Sequence, residues 1–232
     1  GWPVVQHLLA QGHDARIADR VPPPGKDAPY KLVDLEDLGQ VVGVLAGADA
    51  VVHFAAIPRP TYFTADVVFR TNMMTMFNVL EACATLGIGR MVYGSSVAVL
   101  GFPFYTQPLW PAYAPVDEGH PRLPQDAYGI SKHLGEELAS AYVRRVGMSV
   151  ISLRMPWIQT PESFKVELAP LQDDAAAGAS NLWSYIDARD VGQACQRALE
   201  STLAGHEEFF IAAENTFMRE SSADLLREYF PS

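Results

Sequence analysis

Apolar positions along the chain follow two spacings, short continuous or alternating runs and longer stretches in which they recur every three or four residues. PVVQHLLAQG reads as a helix, with Pro3 in its first turn and Gly12 as its stop, and DARIAD follows as a strand ending at Asp19. The Pro-rich VPPPGKDAP is a loop that leads through KLVDL to a helix over EDLGQVVGVLAG, and ADAVVHFAA is the next strand. A long helix is predicted from about Thr64 to Leu86, followed by the buried strand RMVYGSS. From Phe102 to Pro124 there is no period, only Pro and aromatics, which marks a long and potentially functional loop. DAYGISKHLGEELASAYVRR returns to a helical pattern and SVISLRM to a strand. Beyond Pro156 the pattern weakens: LQDDAAAGAS reads as flexible, before a strand in LWSYID, a helix in ARDVGQACQRALE, a strand in EFFIAA and a helix in ADLLREYF. Strand and helix in alternation predict an α/β fold, a doubly wound parallel sheet with helices on both faces.

Composition narrows the function classes. At 232 residues, 49% hydrophobic and 19% charged, the chain can bury one sizeable core. A net charge of −10 without a basic cluster argues against nucleic acid and against an anionic membrane surface, leaving a small molecule as the expected partner. No apolar run approaches the roughly 20 residues of a membrane span. Cys83 and Cys195 lack redox or metal spacing, so free thiols in a reducing cytoplasm are expected. None of the six histidines pairs at i, i+4 beside an acidic residue, and no metal site is expected.

The chemistry concentrates in two places. Tyr128 and Lys132 sit at i and i+4, on one face of the predicted helix. A phenol beside an ammonium group suits general acid–base work, because the positive charge favours the phenolate. A lone Tyr-x-x-x-Lys arises often by chance, and a pair of helix-surface residues is its bland reading. Ser95 and Ser96, however, end an apolar strand one βα unit upstream, at the sheet edge where α/β folds place ligands. Strand-end capping is the alternative role for both serines.

With their surroundings, GSSVAVLG and YGISK resemble the Ser and Tyr-x-x-x-Lys elements of the extended short-chain dehydrogenase/reductases, also called the NAD-dependent epimerase/dehydratase family. GHDARIADR, VDL, VVHFAA, Asn72 with NVLEACATLG, LRMP and YIDARDVGQA match in the same order, over nearly the whole chain. The resemblance implies a Rossmann-type sheet, with residues 1–155 as the NAD-binding portion carrying the catalytic helix. Residues 156–232 would form a small substrate-binding portion interleaved with the last strands and helices. It also implies that Tyr128 exchanges a proton with the reacting hydroxyl or carbonyl, that Lys132 lowers its pKa and holds the nicotinamide ribose, and that Ser96 bonds the substrate oxygen, with Ser95 as the alternative contact.

For the cofactor, Asp19 would accept from the adenosine ribose, which favours NAD over NADP, although Arg20 beside it could accommodate a phosphate. Asp34 and Leu35 would flank the adenine, and Phe54, Ala55 and Ala56 would line the pyrophosphate and nicotinamide side, with Asn72 and Met155 also at the cofactor. Asp19 is equally a turn former and Asp34 a helix N-terminal residue. The resemblance further implies a homodimer through the helices carrying Asn72 and Tyr128.

The chain departs from the family at two points. Of the GxxGxxG turn only the last glycine is matched, as Gly1, which predicts a strand and two glycines upstream of it, a continuation beyond YFPS, and weak NAD binding by the sequence as it stands. On the substrate side, Trp157 stands where nucleotide-sugar relatives use Asn, the segment from Thr160 to Trp183 is short, and Val97 and Ala98 replace the acidic pair of dehydratases. These differences point to a compact, uronate-dehydrogenase-like member that oxidises a small sugar, with Arg154, Trp157 and Trp183 as pocket residues. A nucleotide-sugar epimerase and a non-enzymatic NAD sensor are the alternatives.

Overall fold

The computed structural model describes residues 1–25 and 28–231; Lys26 and Asp27 of the Pro-rich loop, and Ser232, lie outside the described residues. Helix α1 (Trp2–Ala10) leads to β1 (Ile17–Asp19) and β2 (Tyr30–Leu32). Helix α2 (Leu38–Leu45), capped by the Asp37 carboxylate on the Gln40 amide at 3.0 Å, precedes β3 (Val51–His53). Helix α3 (Ala65–Leu86) ends at Gly87, whose φ of 71° supplies the left-handed stop, and β4 (Arg90–Ser96) follows. The residues from 102 to 124 contain neither helix nor strand. Helix α4 (Ala127–Val146) and β5 (Ser149–Met155) complete the first half of the architecture.

All strand pairs are parallel, in three hydrogen-bonded groups: β1 with β2; β3, β4, β5 and β8 (His206–Phe210) in that order; and β6 (Trp157–Gln159) with β7 (Tyr185–Asp187). β3 bonds only to β4, so hydrogen bonding is not continuous from β1 to β3 as a single sheet would require. The alternation of the pleat sends Met91, Tyr93 and Val150 to one face, where α2, α3 and α4 pack, and Val92, Ile151 and Leu153 to the other. That second face is covered by α1 and by α7 (Ala188–Glu200). Helices therefore lie on both faces of a parallel sheet, and α7 and β8, although late in the chain, belong to this body.

A third core is separate from both. Leu168, Trp183, Phe217, Met218 and Leu225 are buried together, with Phe164, Leu171, Ala175 and Ala179 packed against them and α8 (Ser222–Tyr229) as a lid. The stretch expected to be flexible is thus structured: α5 (Pro161–Ser163) and α6 (Ala175–Gly178) are joined by π- and 3₁₀-helical turns. The cause is Trp183, which is 1% exposed and donates its indole N–H to the Ala175 carbonyl at 2.6 Å, tying the Ala-rich turns to the core. No helix among the described residues is long and apolar enough to cross a membrane.

Candidate active site

Three parallel strands end side by side: β3 runs into Phe54, Ala55 and Ala56, β4 ends at Ser95 and Ser96, and β5 ends at Met155, the register partner of Ser96. Packing at this edge is close, since a Cβ on Gly94 would come 2.6 Å from the Phe54 ring. After Ser96 the chain makes a 3₁₀ turn over Val97–Leu100, and the Ser96 hydroxyl accepts from the Ala98 amide at 3.1 Å. Capping leaves the hydroxyl proton of Ser96 available, because one oxygen lone pair serves the cap.

Asp126 pins the start of α4. Its carboxylate accepts from the Tyr128 and Gly129 amides at 2.9 and 3.0 Å, which fixes Tyr128 in the first turn. The Tyr128 ring is buried against Val68, Ala98 and Ile57, with Phe104 edge-on at 6.1 Å. Burial pushes its phenol above the ordinary value; the Ser96 hydroxyl opposes this, and the Asp126 carboxylate adds to it. Lys132 is also buried, and its ammonium donates to the Gly94 carbonyl at 2.6 Å while lying 4.8 Å from the Tyr93 ring centre and 5.8 Å from that of Tyr128. Burial brings the ammonium down to about 8, against the pull of Glu136. The expected depression of the phenol by Lys132 is therefore absent: Lys132 is turned to the Gly94 carbonyl, and desolvation dominates at Tyr128.

Asn72 braces the site from α3. Its Oδ1 accepts from the Ile57 amide at 2.7 Å, and its Nδ2 donates to the Ile57 carbonyl at 3.1 Å and to Ser131 Oγ at 3.0 Å. Ser131 in turn donates to the Tyr128 carbonyl at 2.7 Å. Asn72 thus ties the β3 loop to the catalytic helix.

Ser95 and Arg154 are placed otherwise than expected. The Ser95 hydroxyl donates to Glu136 Oε1 at 2.7 Å, beneath the site. Arg154 is fully buried, bonded to both Glu136 oxygens at 2.9 Å, to the Glu118 carbonyl at 3.1 Å and to Glu208. All three of its nitrogens are used within the protein, which corrects its expected place in a substrate pocket. Burial works to raise the Glu136 carboxyl, but Arg154 and Ser95 outweigh it and hold it below the ordinary value. Trp183 is likewise core rather than pocket. Trp157 is half-buried on β6, near Arg59.

In the separate β1–β2 pair, Asp19 closes β1, its Oδ1 accepting from the Val21 amide at 3.3 Å, and Gly1 stands at the N-cap of α1 with no side-chain cap on the first amides. Arg20 is largely exposed, 3.6 Å from Glu36. Asp34 caps its own turn through the Glu36 amide at 3.0 Å, and the buried Leu35 takes the Asn78 amide on its carbonyl at 2.9 Å.

The family model described as "NAD dependent epimerase/dehydratase family" matches residues 1–212. The chain belongs to this family. It is 32% identical over 139 residues to a uronate dehydrogenase of Pseudomonas syringae pv. tomato, covering 60% of this chain and 47% of that relative. It is 28% identical over 205 residues to the L-arabinose 1-dehydrogenase (NAD(P)(+)) of Haloferax volcanii, covering 86% and 78%. A short-chain dehydrogenase/reductase superfamily protein from Agrobacterium tumefaciens, solved with bound NAD, superposes with a TM-score of 0.75 at 25% identity, covering 98% of this chain and 78% of its own.

Proposed function

We propose that the chain is the core of an NAD-dependent oxidoreductase that moves a hydride between a secondary hydroxyl or carbonyl of a small sugar-like substrate and NAD. The observation that carries this reading is the joint burial of Tyr128, Ser96 and Lys132 at the carboxyl ends of parallel strands. The names of the uronate and arabinose dehydrogenases support a small sugar.

The residues present suit a dinucleotide. The N-terminal turn of α1, where Gly1 sets no side-chain cap on the amides, suits a pyrophosphate, and the Asp19 carboxylate, with one oxygen unbonded among the described residues, suits a ribose hydroxyl better than a 2′-phosphate. Asp34 and Leu35 would border the adenine, with Arg20 nearby. Phe54, Ala55, Ala56, Asn72 and Met155 would line the nicotinamide side. When bound, oxidised NAD would supply the hydride acceptor. In oxidation Ser96 donates to the substrate oxygen, Tyr128 takes the hydroxyl proton, and the C–H electron pair leaves as hydride, so the alcohol becomes a carbonyl. Lys132 would hold the nicotinamide ribose. The exposed apolar side chains of α3 and α4, Phe69, Met74, Phe77 and Leu134, support a homodimer across these helices.

The test is a screen of aldoses and sugar acids with NAD, following NADH absorbance. Net NADH with a free sugar is the expected result. A nucleotide sugar inverted without net NADH would replace this reading with epimerisation, and NAD binding without turnover of any sugar would replace it with a sensor.

A further inference from the structure

The loop that leaves β3 carries a guanidinium without an anionic partner. Arg59 is half-buried, its Cζ 5.6 Å from the centre of the Tyr62 ring and 5.9 Å from that of Trp157. Among the described residues no carboxylate pairs with it. Cation–π contact with the two rings uses none of the guanidinium N–H groups as a hydrogen-bonded pair to an anion, so they can serve a bidentate acceptor. Three other cations near these strand ends are occupied. Lys132 donates to Gly94, Arg154 is held by Glu136 and Glu208, and Arg189 is held by Asp187.

Its position is as telling as its isolation. Ile57, two residues earlier, packs in one cluster with Tyr128, and a two-residue step spans at most about 7 Å. Trp157 lies two residues beyond Met155, the register partner of Ser96. The contact between Arg59 and Trp157 thus joins the chain segments that leave β3 and β5, on either side of the Ser96 strand end. At long range a net charge of −10 repels anions, so an anionic substrate needs a local cation to hold it.

We propose that Arg59, on its Trp157 and Tyr62 platform, selects the substrate by binding an anionic substituent, carboxylate or phosphate, of the sugar whose hydroxyl meets Tyr128. The inference rests on the hydride-transfer reading above and goes further, in naming the charge of the substrate and the residue that reads it.

Calorimetric titration of the full chain, saturated with NADH, with D-glucuronate, D-glucose 6-phosphate and D-glucose tests it. At least one charged sugar is expected to bind about tenfold or more tighter than glucose, and which one does so tells carboxylate from phosphate. Arg59→Gln is expected to erase about 10- to 100-fold of that preference, the scale of a charged hydrogen-bonded contact, and Arg59→Lys to keep part of it. A wild type with no preference for charge, including one that binds none of the three, overturns the proposal whether or not the variants fold. So does an Arg59→Gln protein that keeps the full preference. Turnover by the wild type with NAD is a separate readout. A charge preference that depends on Arg59, without any NADH formation, overturns the hydride-transfer reading and leaves the anion site standing.

Discussion

Tyr128 and Lys132 experience burial in opposite senses. Loss of the hydroxyl in Tyr128→Phe removes the proton acceptor but no proposed cofactor contact of the ribose-holding lysine. Turnover is expected to fall at least about a hundredfold while NAD affinity stays within about threefold, measured by steady-state NADH formation and by cofactor titration. Lys132 gives a prediction on stability. Its pKa is about 8 in the fold against 10.5 for an ordinary lysine, so between those values the unfolded chain binds a proton that the native chain does not. Wild-type stability therefore climbs with pH through that window, by at most about 1.4 kcal/mol per unit, and below it the fold carries the cost of a buried charge. Lys132→Met has nothing to titrate there. Denaturant melts at pH 7 and pH 10 should show the wild type gaining on the variant at the higher pH, and parallel behaviour would mean that Lys132 keeps its ordinary pKa in the fold.

At the level of elements, the join between α4 and the turn after β4 holds Tyr128 opposite Ser96. A Cβ on Gly129 would lie 2.7 Å from the Ala98 carbonyl oxygen, a backbone atom that cannot swing aside. Gly129→Ala should push the first turn of α4 outward, lowering stability by about 1 to 3 kcal/mol and kcat together with it. Gly43 in α2 is the contrast. Nothing lies within 4 Å of a Cβ there, so Gly43→Ala should stabilise the fold by about 0.5 to 1 kcal/mol, with thermal melts of the two variants moving in opposite directions.

The same elements show what the chain declares of itself. α1, α3, α4 and α7 were legible because their stops and caps, such as Gly12, Gly87 and Asp126, coincide with the end or start of an apolar stripe. The turns between Pro161 and Asn181 were not, although Leu168, Leu171, Ala175 and Ala179 recur at helical intervals. Small side chains give a weak stripe, and the tryptophan that orders them arrives only at position 183. In the site, Tyr128 and Lys132 announce themselves by spacing and Glu136 continues the series at the next i+4 step. The sequence does not mark it as special, because a glutamate on a helix is ordinarily solvated and only the fold brings Arg154 to it from β5. Asn72 is marked by its neighbours in the motif, whereas Arg59 carries no local signal at all.

Across the whole molecule, the homodimer proposed on α3 and α4 makes a concentration-dependent claim. Light scattering of the wild type should give about twice the mass of the 25.4 kDa chain, and Phe77→Asp, which sets a charge among Phe69, Met74 and Leu134, should shift the population toward monomer. A wild type that is monomeric at every concentration would remove that part of the proposal.

The apolar interior is divided: one body of side chains grips both faces of the strands, and another gathers around Trp183 and α8. Natural variation meets these two bodies differently. A substitution under Met91 or Ile151 disturbs the platform on which Ser96, Tyr128 and Lys132 stand, whereas one beside Phe217 or Leu225 acts on the second body, which reaches β6 through Trp157. Residues 160–181 and 214–230 can therefore drift more freely than the strand ends and the tyrosine helix. A graft of those two segments from a relative should bring its own small core with it and leave the charge preference proposed for Arg59 in place, and pulsed hydrogen exchange on the hybrid should find the amides of β4 and β5 as slow as before.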